Sequence, residues 1–397
     1  MKIALFTETY LSFVNGVGTH VKTLKNGLEK LGHEVLVVCA LPGIKKHFIK
    51  DGVLCCPSMS WKKVYDYGIA KPISPTRFRY IKNFAPDIIH IHTEFGIGFS
   101  GASAAKLLKI PYVYTMHTMY DEYIYYVVPK KLTKIAKKIA HFYGRQLAQR
   151  ASVVVGPSVK IEDFLRSCGV LKPIEIVPNS VEVDLFNPEK VSEIEKNNIK
   201  KELSLKDTDF LGCFCARLGK EKNIDLLIKN WKELVKDNNN KKLLIFGDGP
   251  YKEEFIDLAE SLDIKDNVIF LGKVEHKKLP PYYSICDFYI TASLSEVHSI
   301  STLEAMASKL PVFHILDERN QNQIKEGVNG FIYKDVSEMK ELILKYENMS
   351  EQERQNLKNS TRNSVLNSGE LQLGENMIKI SNMALDNYSF KKKKIRI

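Results

Sequence analysis

The sequence predicts an α/β protein built from two doubly wound parallel-sheet domains. Three observations carry that reading. The chain has 397 residues, room for two or three domains at roughly 100–200 residues each. Short, continuously apolar segments alternate with helical patterns, as buried parallel strands and their crossover helices do. The alternation runs as two series, the second beginning at Phe210, and the polar, highly charged stretch 187–206 between them reads as a linker.

The elements follow in order. Residues 3–6 form an apolar strand, 12–18 a loop with two glycines, and Val21, Leu24, Leu28 and Leu31 a helical stripe ended by Gly32. Residues 34–38 are the next strand, completing a β-loop-α-β unit. Further strands are expected at 87–91, 112–115, 152–155 and 174–177, with helices over 101–108 and 159–168. In the second series, strand 210–215 leads through the loop 217–223 to helix 224–235. Strand 242–246 precedes Gly247-Asp248-Gly249-Pro250 and a helix from Tyr251, and 268–271, 288–291 and 311–314 are strands. Two such domains place ligands in the crevices outside the carboxyl ends of their strands.

Composition excludes several classes. With 44 % hydrophobic and 26 % charged residues, neither wholesale disorder nor a fibrous repeat fits. No run approaches the ~18 apolar residues of a membrane span. Thr7 and Glu8 arrive too early for a signal-peptide core, so a cytoplasmic, globular protein is expected. The net charge of +11 is uneven: residues 1–150 hold 22 basic and 9 acidic side chains, a net of +13, and the rest of the chain is at −2. A basic half suits an anionic surface, lipid or nucleic acid, or is a solvated face. No nucleic-acid-binding module is recognisable, so nucleic acid is not expected as a partner. Seven cysteines without a C-x-x-C pair argue against a disulfide framework and a zinc site.

Several constellations carry chemistry. Gly16-Val17-Gly18 lies before a helix whose N-terminus offers N–H groups to an anion, or is an ordinary tight turn. Arg217 and Lys222 follow the first strand of the second series, where two cations suit a diphosphate. Glu296 and Glu304 are separated by seven residues, and Ser301-x-x-Glu304 fits a capping box. His117 follows strand 112–115 at a strand end facing the crevice. His90 and His92 share a strand face, with no third metal ligand at a plausible spacing. Asp207-Thr208-Asp209 sits on the inlet side of a strand and reads as a turn.

Residues 130–150 form a basic amphipathic helix. Leu132, Ile135, Ala136, Ile139, Phe142 and Tyr143 make one stripe; Lys130, Lys131, Lys134, Lys137, Lys138 and Arg145 make much of the rest. It is a membrane-surface candidate, with a core-packed helix as the even alternative. Tyr120, Tyr123, Tyr125 and Tyr126 precede it. Lys391, Lys392, Lys393 and Lys394, followed by Arg396, form a second basic cluster, for a membrane or as a disordered tail.

Taken in order, these motifs resemble the retaining GT-B glycosyltransferases of family 4 over nearly the whole chain. The segment from Glu296 through Glu304-Ala305-Met306-Ala307 to Pro311-Val312 looks like the family's E-x7-E signature. Arg217 to Lys222-Asn223, Gly247-Asp248-Gly249-Pro250, Gly16-Val17-Gly18 and Pro178-Asn179 fall in the family order. The run from Tyr114 through His117 to Tyr123, and Ser293 to His298, are similar to bacterial diacylglycerol glucosyltransferases. Val297-His298-Ser299 departs from the family's usual Gly-Phe-Gly, as do Ser180 and Lys309 where glycines are usual.

The resemblance implies two Rossmann-like domains facing a deep cleft: an acceptor- and membrane-facing domain at 1–185, a nucleotide-sugar domain at 186–370, and a helix in 371–397 crossing back to the first. It implies a UDP-sugar donor, a lipid acceptor such as diacylglycerol, or a small polar acceptor in a soluble relative, and no essential metal. Glu304 would hold ribose, Glu296 the donor sugar, and Arg217 and Lys222 the leaving diphosphate. Gly247 and the helix start at Ser299, Ile300, Ser301 and Thr302 would assist, together with Gly16, Val17 and Gly18. His117 would hydrogen-bond the transferred sugar, and the leaving phosphate would take the acceptor proton.

Overall fold

A computed structural model describes residues 1–397 except 11–14, 62–66, 120, 122–123, 125–127, 237–238, 320–322 and 396–397; at 61, 67 and 390–395 it describes the backbone alone. Tyr120, Tyr123, Tyr125, Tyr126 and Arg396 therefore lie outside the described residues. The chain divides into one unit of Met1–Ser180 with Glu370–Ile397 and a second of Val181–Gly369. The boundaries expected at 185 and 370 thus move slightly. Val181 donates its N–H to Ser368 O at 3.0 Å, and Val181 and Phe186 are buried in the second unit's core.

The first unit runs β1 (Lys2–Thr7), α1 (Gly16–Lys30), β2 (Glu34–Pro42), β3 (Phe48–Lys50), β4 (Val53–Trp61), β5 (Tyr67–Ala70), α2 (Pro75–Phe84), β6 (Ile88–Ile91), α3 (Gly96–Leu108), β7 (Tyr112–Thr115), α4 (Thr133–Arg150), β8 (Val153–Gly156), α5 (Val159–Ser167) and β9 (Ile174–Ile176). The sheet order is β3-β4-β2-β1-β6-β7-β8-β9, with β5 on β4. The pairs of β4 with β3 and β5 are antiparallel. Ile3 to Phe6 and Ile88, Ile89 and Ile91 are fully buried, which is why these strands are continuously apolar.

Two expectations change here. Gly16, Val17 and Gly18 are the first turn of α1, not a loop; the Asn15 side chain caps it by accepting the Gly18 N–H at 2.8 Å. Helix α3 starts at Gly96 rather than 101, because Glu8, just past β1, accepts the N–H of Ile97.

The second unit runs α6 (Glu193–Glu202), β10 (Phe210–Cys215), α7 (Ile224–Val235), β11 (Lys241–Phe246), α8 (Lys252–Ser261), β12 (Val268–Gly272), α9 (Leu279–Ser284), β13 (Phe288–Thr291), α10 (Ile300–Ala307), β14 (Val312–Ile315), β15 (Gly330–Tyr333), α11 (Val336–Glu347) and α12 (Glu351–Asn363). Its sheet, β12-β11-β10-β13-β14-β15, is parallel throughout. The stretch read as a linker belongs to this unit. It holds α6, started by a capping box of Ser192 and Glu195, and its Ile199 enters the core.

Helix α13 (Glu370–Ile395) then returns to the first unit. Leu373, Met377, Ile380 and Ala384 join Val21, Leu24 and Leu28 of α1 in one core. The crossing requires glycine. A Cβ on Gly27 would stand 2.0 Å from Glu370 O, and one on Gly374 3.0 Å from the Gly27 carbonyl carbon. Lys391, Lys392, Lys393 and Lys394 fall within α13, so their backbone is helical rather than a disordered tail. Among the described residues, no helix is long and apolar enough to cross a membrane.

Candidate functional site

In each sheet the strand order reverses once, between β1 and β6 and between β10 and β13. The carboxyl ends of such strand pairs open a crevice, and in each unit several of the residues singled out from sequence lie at or near those strand ends.

In the second unit, Arg217 and Lys222 follow β10 and Glu296 follows β13. The Arg217 guanidinium donates to the Glu221 carboxylate, and Lys222 Nζ donates to Glu296 Oε1, tying together two loops distant in sequence. Gly247 follows β11 with φ at +131°, and a Cβ there would be 1.8 Å from Ala216 O. Only glycine lets this loop lie against the one bearing Arg217, where Leu218 N–H donates to Asp248 O at 3.0 Å.

Helix α10 places the second glutamate. Its cap is Ser299, not Ser301: Ser299 Oγ accepts the Thr302 N–H at 3.3 Å, and Gln323 holds the Ser299 backbone at 3.0 and 2.8 Å. Ser301 instead meets Ser299 Oγ and Tyr289 OH, each at 3.1 Å. The N–H groups of Ile300 and Ser301 lie at the helix start, where no intrahelical acceptor exists. With Ser299 as the cap, Thr302 is the third helical residue and Glu304 falls outside a capping box; its Oε1 instead accepts from His276 Nε2 at 2.7 Å. Burial pushes the Glu304 carboxyl above its ordinary value; the hydrogen bond and charge of His276 pull it back, and Glu182 adds to the rise. Sequence reasoning missed His276. Its signal was its place just after strand 268–271.

Asp207 and Asp209 lie before β10, at the opposite end of the sheet. Asp209 accepts the Lys206 N–H at 2.8 Å, and Asp207 pairs with Lys200 at 3.1 Å. A cavity of about 430 Å³ opens there, lined in part by these two, Asp287 and Glu347.

In the first unit, His117 follows β7. The expectation of no third ligand beside His90 and His92 does not hold. His92, just past β6, groups with His117 and with His20 from α1, one ring nitrogen of each lying within 4.8 Å of the others. His92 Nδ1 meets His117 Nε2 at 3.1 Å, and His20 Nδ1 donates to Asn179 Oδ1 at 3.0 Å. His90 turns away, its Nε2 donating to Ser381 Oγ of α13 at 3.0 Å. Burial pushes all four imidazoles below their ordinary value, His20 to about 4 and His90 to about 3.

The apolar stripe of α4 is not core. Leu132, Ile135, Ile139 and Phe142 are 50, 57, 63 and 56 % exposed; only Gly144, Leu147 and Ala148 of the helix are buried. Lys131, Lys134 and Lys138 are exposed and each precedes an apolar position by one residue. The basic and apolar rows therefore run side by side, about 100° apart. Lys130 is exposed just before the helix. Lys137 departs from the expectation: it is half-buried and pairs with Asp121 at 3.7 Å, beside the 2.9 Å contact of His141 with the same carboxylate. Arg145 lies 5.8 Å from the Phe142 ring centre.

Residues 14–185 match the family model described as Glycosyltransferase Family 4, and residues 195–364 the one described as Glycosyl transferases group 1. Alpha-monoglucosyldiacylglycerol synthase of Acholeplasma laidlawii is 31 % identical over 344 residues, 85 % of this chain and 86 % of that protein. Its namesake from Streptococcus pneumoniae (strain ATCC BAA-255 / R6) is 30 % identical over 333 residues, 84 % of this chain and 75 % of that protein. Among solved structures, Anabaena Alr3699/HepE in complex with UDP and glucose matches with a TM-score of 0.73 at 16 % identity, over 96 % of this chain and 98 % of that one. That likeness speaks to the fold, which is GT-B. Matched by both family models and sustained at 31 % identity along most of its length, the chain belongs to the family 4 glycosyltransferases of GT-B fold.

Proposed function

We propose that this glycosyltransferase moves a hexosyl unit, glucose foremost, from a UDP-sugar to a membrane lipid such as 1,2-diacylglycerol, with retention, giving an α-glycolipid. The observation that carries the reading is α4: an exposed apolar stripe beside an exposed lysine row, on the more basic half of the chain. The names of the two synthases above support the same acceptor class. The enzyme then works on the inner face of the cell membrane, held peripherally by α4 and by the lysines within α13.

In this reading the donor lies against the second unit. Glu304, positioned by His276, accepts hydrogen bonds from ribose hydroxyls, and Glu296 does so from the sugar. Arg217, Lys222 and the N–H groups at the start of α10 stabilise the departing diphosphate; positive groups already in place at a developing anion are the main catalytic contribution available. Arg217 and Lys222 are turned to Glu221 and Glu296, so donor binding must share or exchange those contacts. His117 hydrogen-bonds the transferred sugar, and the leaving phosphate takes the acceptor proton.

The test is the purified chain with diacylglycerol in anionic vesicles, offered a panel of UDP-sugars, with products read by mass and anomeric configuration by NMR. An α-hexosyl lipid is expected. Glycosylation of soluble acceptors alone would overturn the lipid reading. Because protein cations neutralise the diphosphate, turnover is expected to survive a chelator; full loss rescued by magnesium or manganese would overturn the reading that protein cations alone neutralise it.

A further inference from the structure

We propose that His20, His92 and His117 form a binding site for a divalent transition-metal ion of the zinc type. The three residues come from α1 and from the ends of β6 and β7, converging where the first sheet reverses its strand order. Their ring centres are 4.6, 5.3 and 5.5 Å apart. Zinc binds imidazole nitrogen at about 2.0–2.1 Å, so tetrahedral ligation sets the nitrogens roughly 3.3 Å from one another. The His92–His117 pair already stands at 3.1 Å, and all three ligand atoms lie within 4.8 Å, so an ion would have to draw them about 1.5 Å closer at most.

Second, one ligand is oriented in advance. Asn179 Oδ1 accepts from His20 Nδ1 at 3.0 Å, which fixes the tautomer and leaves the Nε2 lone pair for a metal. Metal-binding histidines are held in this way by an outer carbonyl or carboxylate. That His20 Nε2 is buried with no hydrogen-bond partner among the described residues. Buried polar atoms seldom stay unsatisfied, and this one, on a ring whose other nitrogen is already held, points to a missing ligand. His117 is partly exposed where His20 and His92 are buried, so that side is the one from which an ion and a water completing its shell can enter. Imidazole sets of this kind suit zinc, cobalt or nickel.

The site would inhibit rather than assist, because a bound ion ties up His117. That consequence rests on the role proposed above for His117; the binding does not.

The experiment uses the full chain, stripped with a chelator and kept reduced, titrated with zinc by calorimetry and with cobalt by absorption. One ion per chain is expected, with a tetrahedral cobalt spectrum lacking thiolate bands. Asn179→Ala should weaken affinity roughly 10- to 100-fold, and His20→Gln and His117→Gln each by more, with the far-UV circular dichroism unchanged. If His20→Gln does not fold, His117→Gln at its partly exposed position carries the comparison. Absence of a stoichiometric ion, affinity unmoved by His117→Gln, or thiolate bands from the cysteines would each overturn the proposal.

Discussion

Replacing Ile135, Ile139 and Phe142 together by serine separates the membrane role of α4 from its role in the fold. Full burial of such side chains stabilises by about 1.5–3 kcal/mol each. They are 57, 63 and 56 % exposed, so about half of that value, roughly 1 kcal/mol each, is available to be gained in a bilayer. Losing about 3 kcal/mol weakens vesicle binding on the order of 100-fold, at 1.4 kcal/mol per tenfold. Stability should change little, since exposed substitutions stay within about 0.5 kcal/mol each. The companion variant, Lys131, Lys134 and Lys138 to Glu, removes about 1 kcal/mol per charge near an anionic leaflet. Lys137 is left alone because Asp121 already pairs with it. Co-sedimentation with anionic and neutral vesicles, at low and high salt, reads both. Since the Debye length falls from about 10 Å at 0.1 M to about 3 Å at 1 M, the serine variant should keep a salt-dependent residue of binding. The glutamate variant should bind weakly at any salt. Serine substitutions that leave anionic-vesicle binding at the wild-type level would refute the stripe as the inserted face.

Three further outcomes are expected. Arg217→Ala should cut turnover by about 10²- to 10³-fold, the scale for losing one preorganised contact to developing charge, whereas Glu304→Ala, which loses the ribose contacts, should lower kcat/KM chiefly by weakening donor binding; near wild-type activity of Arg217→Ala at saturating donor would contradict its role. Glu8 is raised by burial from 4.5 to about 7, against the hydrogen bonds from Thr93 and Ile97, so its contribution to stability is full below pH 4.5 and is lost as pH rises through about 7. The unfolding free energy of wild type minus that of Glu8→Gln should therefore fall by up to about 3 kcal/mol across that window in denaturant titrations, and a flat difference would show that Glu8 titrates normally. Gly27→Ala must push α13 off α1, because its Cβ would meet Glu370 O at 2.0 Å; a loss of about 1–3 kcal/mol is expected in thermal unfolding, and an unchanged melting temperature would count against the close crossing.

Much of this was legible because buried parallel strands are short and apolar, as at Ile3 to Phe6 and Phe210 to Phe214. What escaped depends on partners far off in the chain. The first turn of α3 is held by Glu8, from the loop just past β1, so no local cap announces it. Strand β3 is three residues long and exposed at each of them, Phe48 and Ile49 included, so it is too short and unburied to leave an alternating apolar pattern. The supposed linker is different: Ser192-x-x-Glu195 was a visible capping box, outweighed by the polarity around it. The order of motifs singled out Arg217, Lys222, Glu296 and Glu304, which the fold sets beyond β10 and β13 and in α10. It did not reveal that Lys222 meets Glu296 or that His276 holds Glu304, since spacing carries no information on such pairings. The histidine cluster was hidden likewise, with its members on three separate elements.

The return of α13 has a consequence for biosynthesis. The α1 surface of Val21, Leu24 and Leu28 is covered by Leu373, Met377 and Ile380, which leave the ribosome only after the whole of Val181–Gly369. At roughly 5–20 residues per second, that segment occupies on the order of 10–40 s. For that interval the nascent first unit carries an open apolar groove, while the second can fold as one contiguous piece. The unit made first is thus the last to be completed, and a nascent chain halted near residue 180 presents to chaperones the surface that α13 will later close.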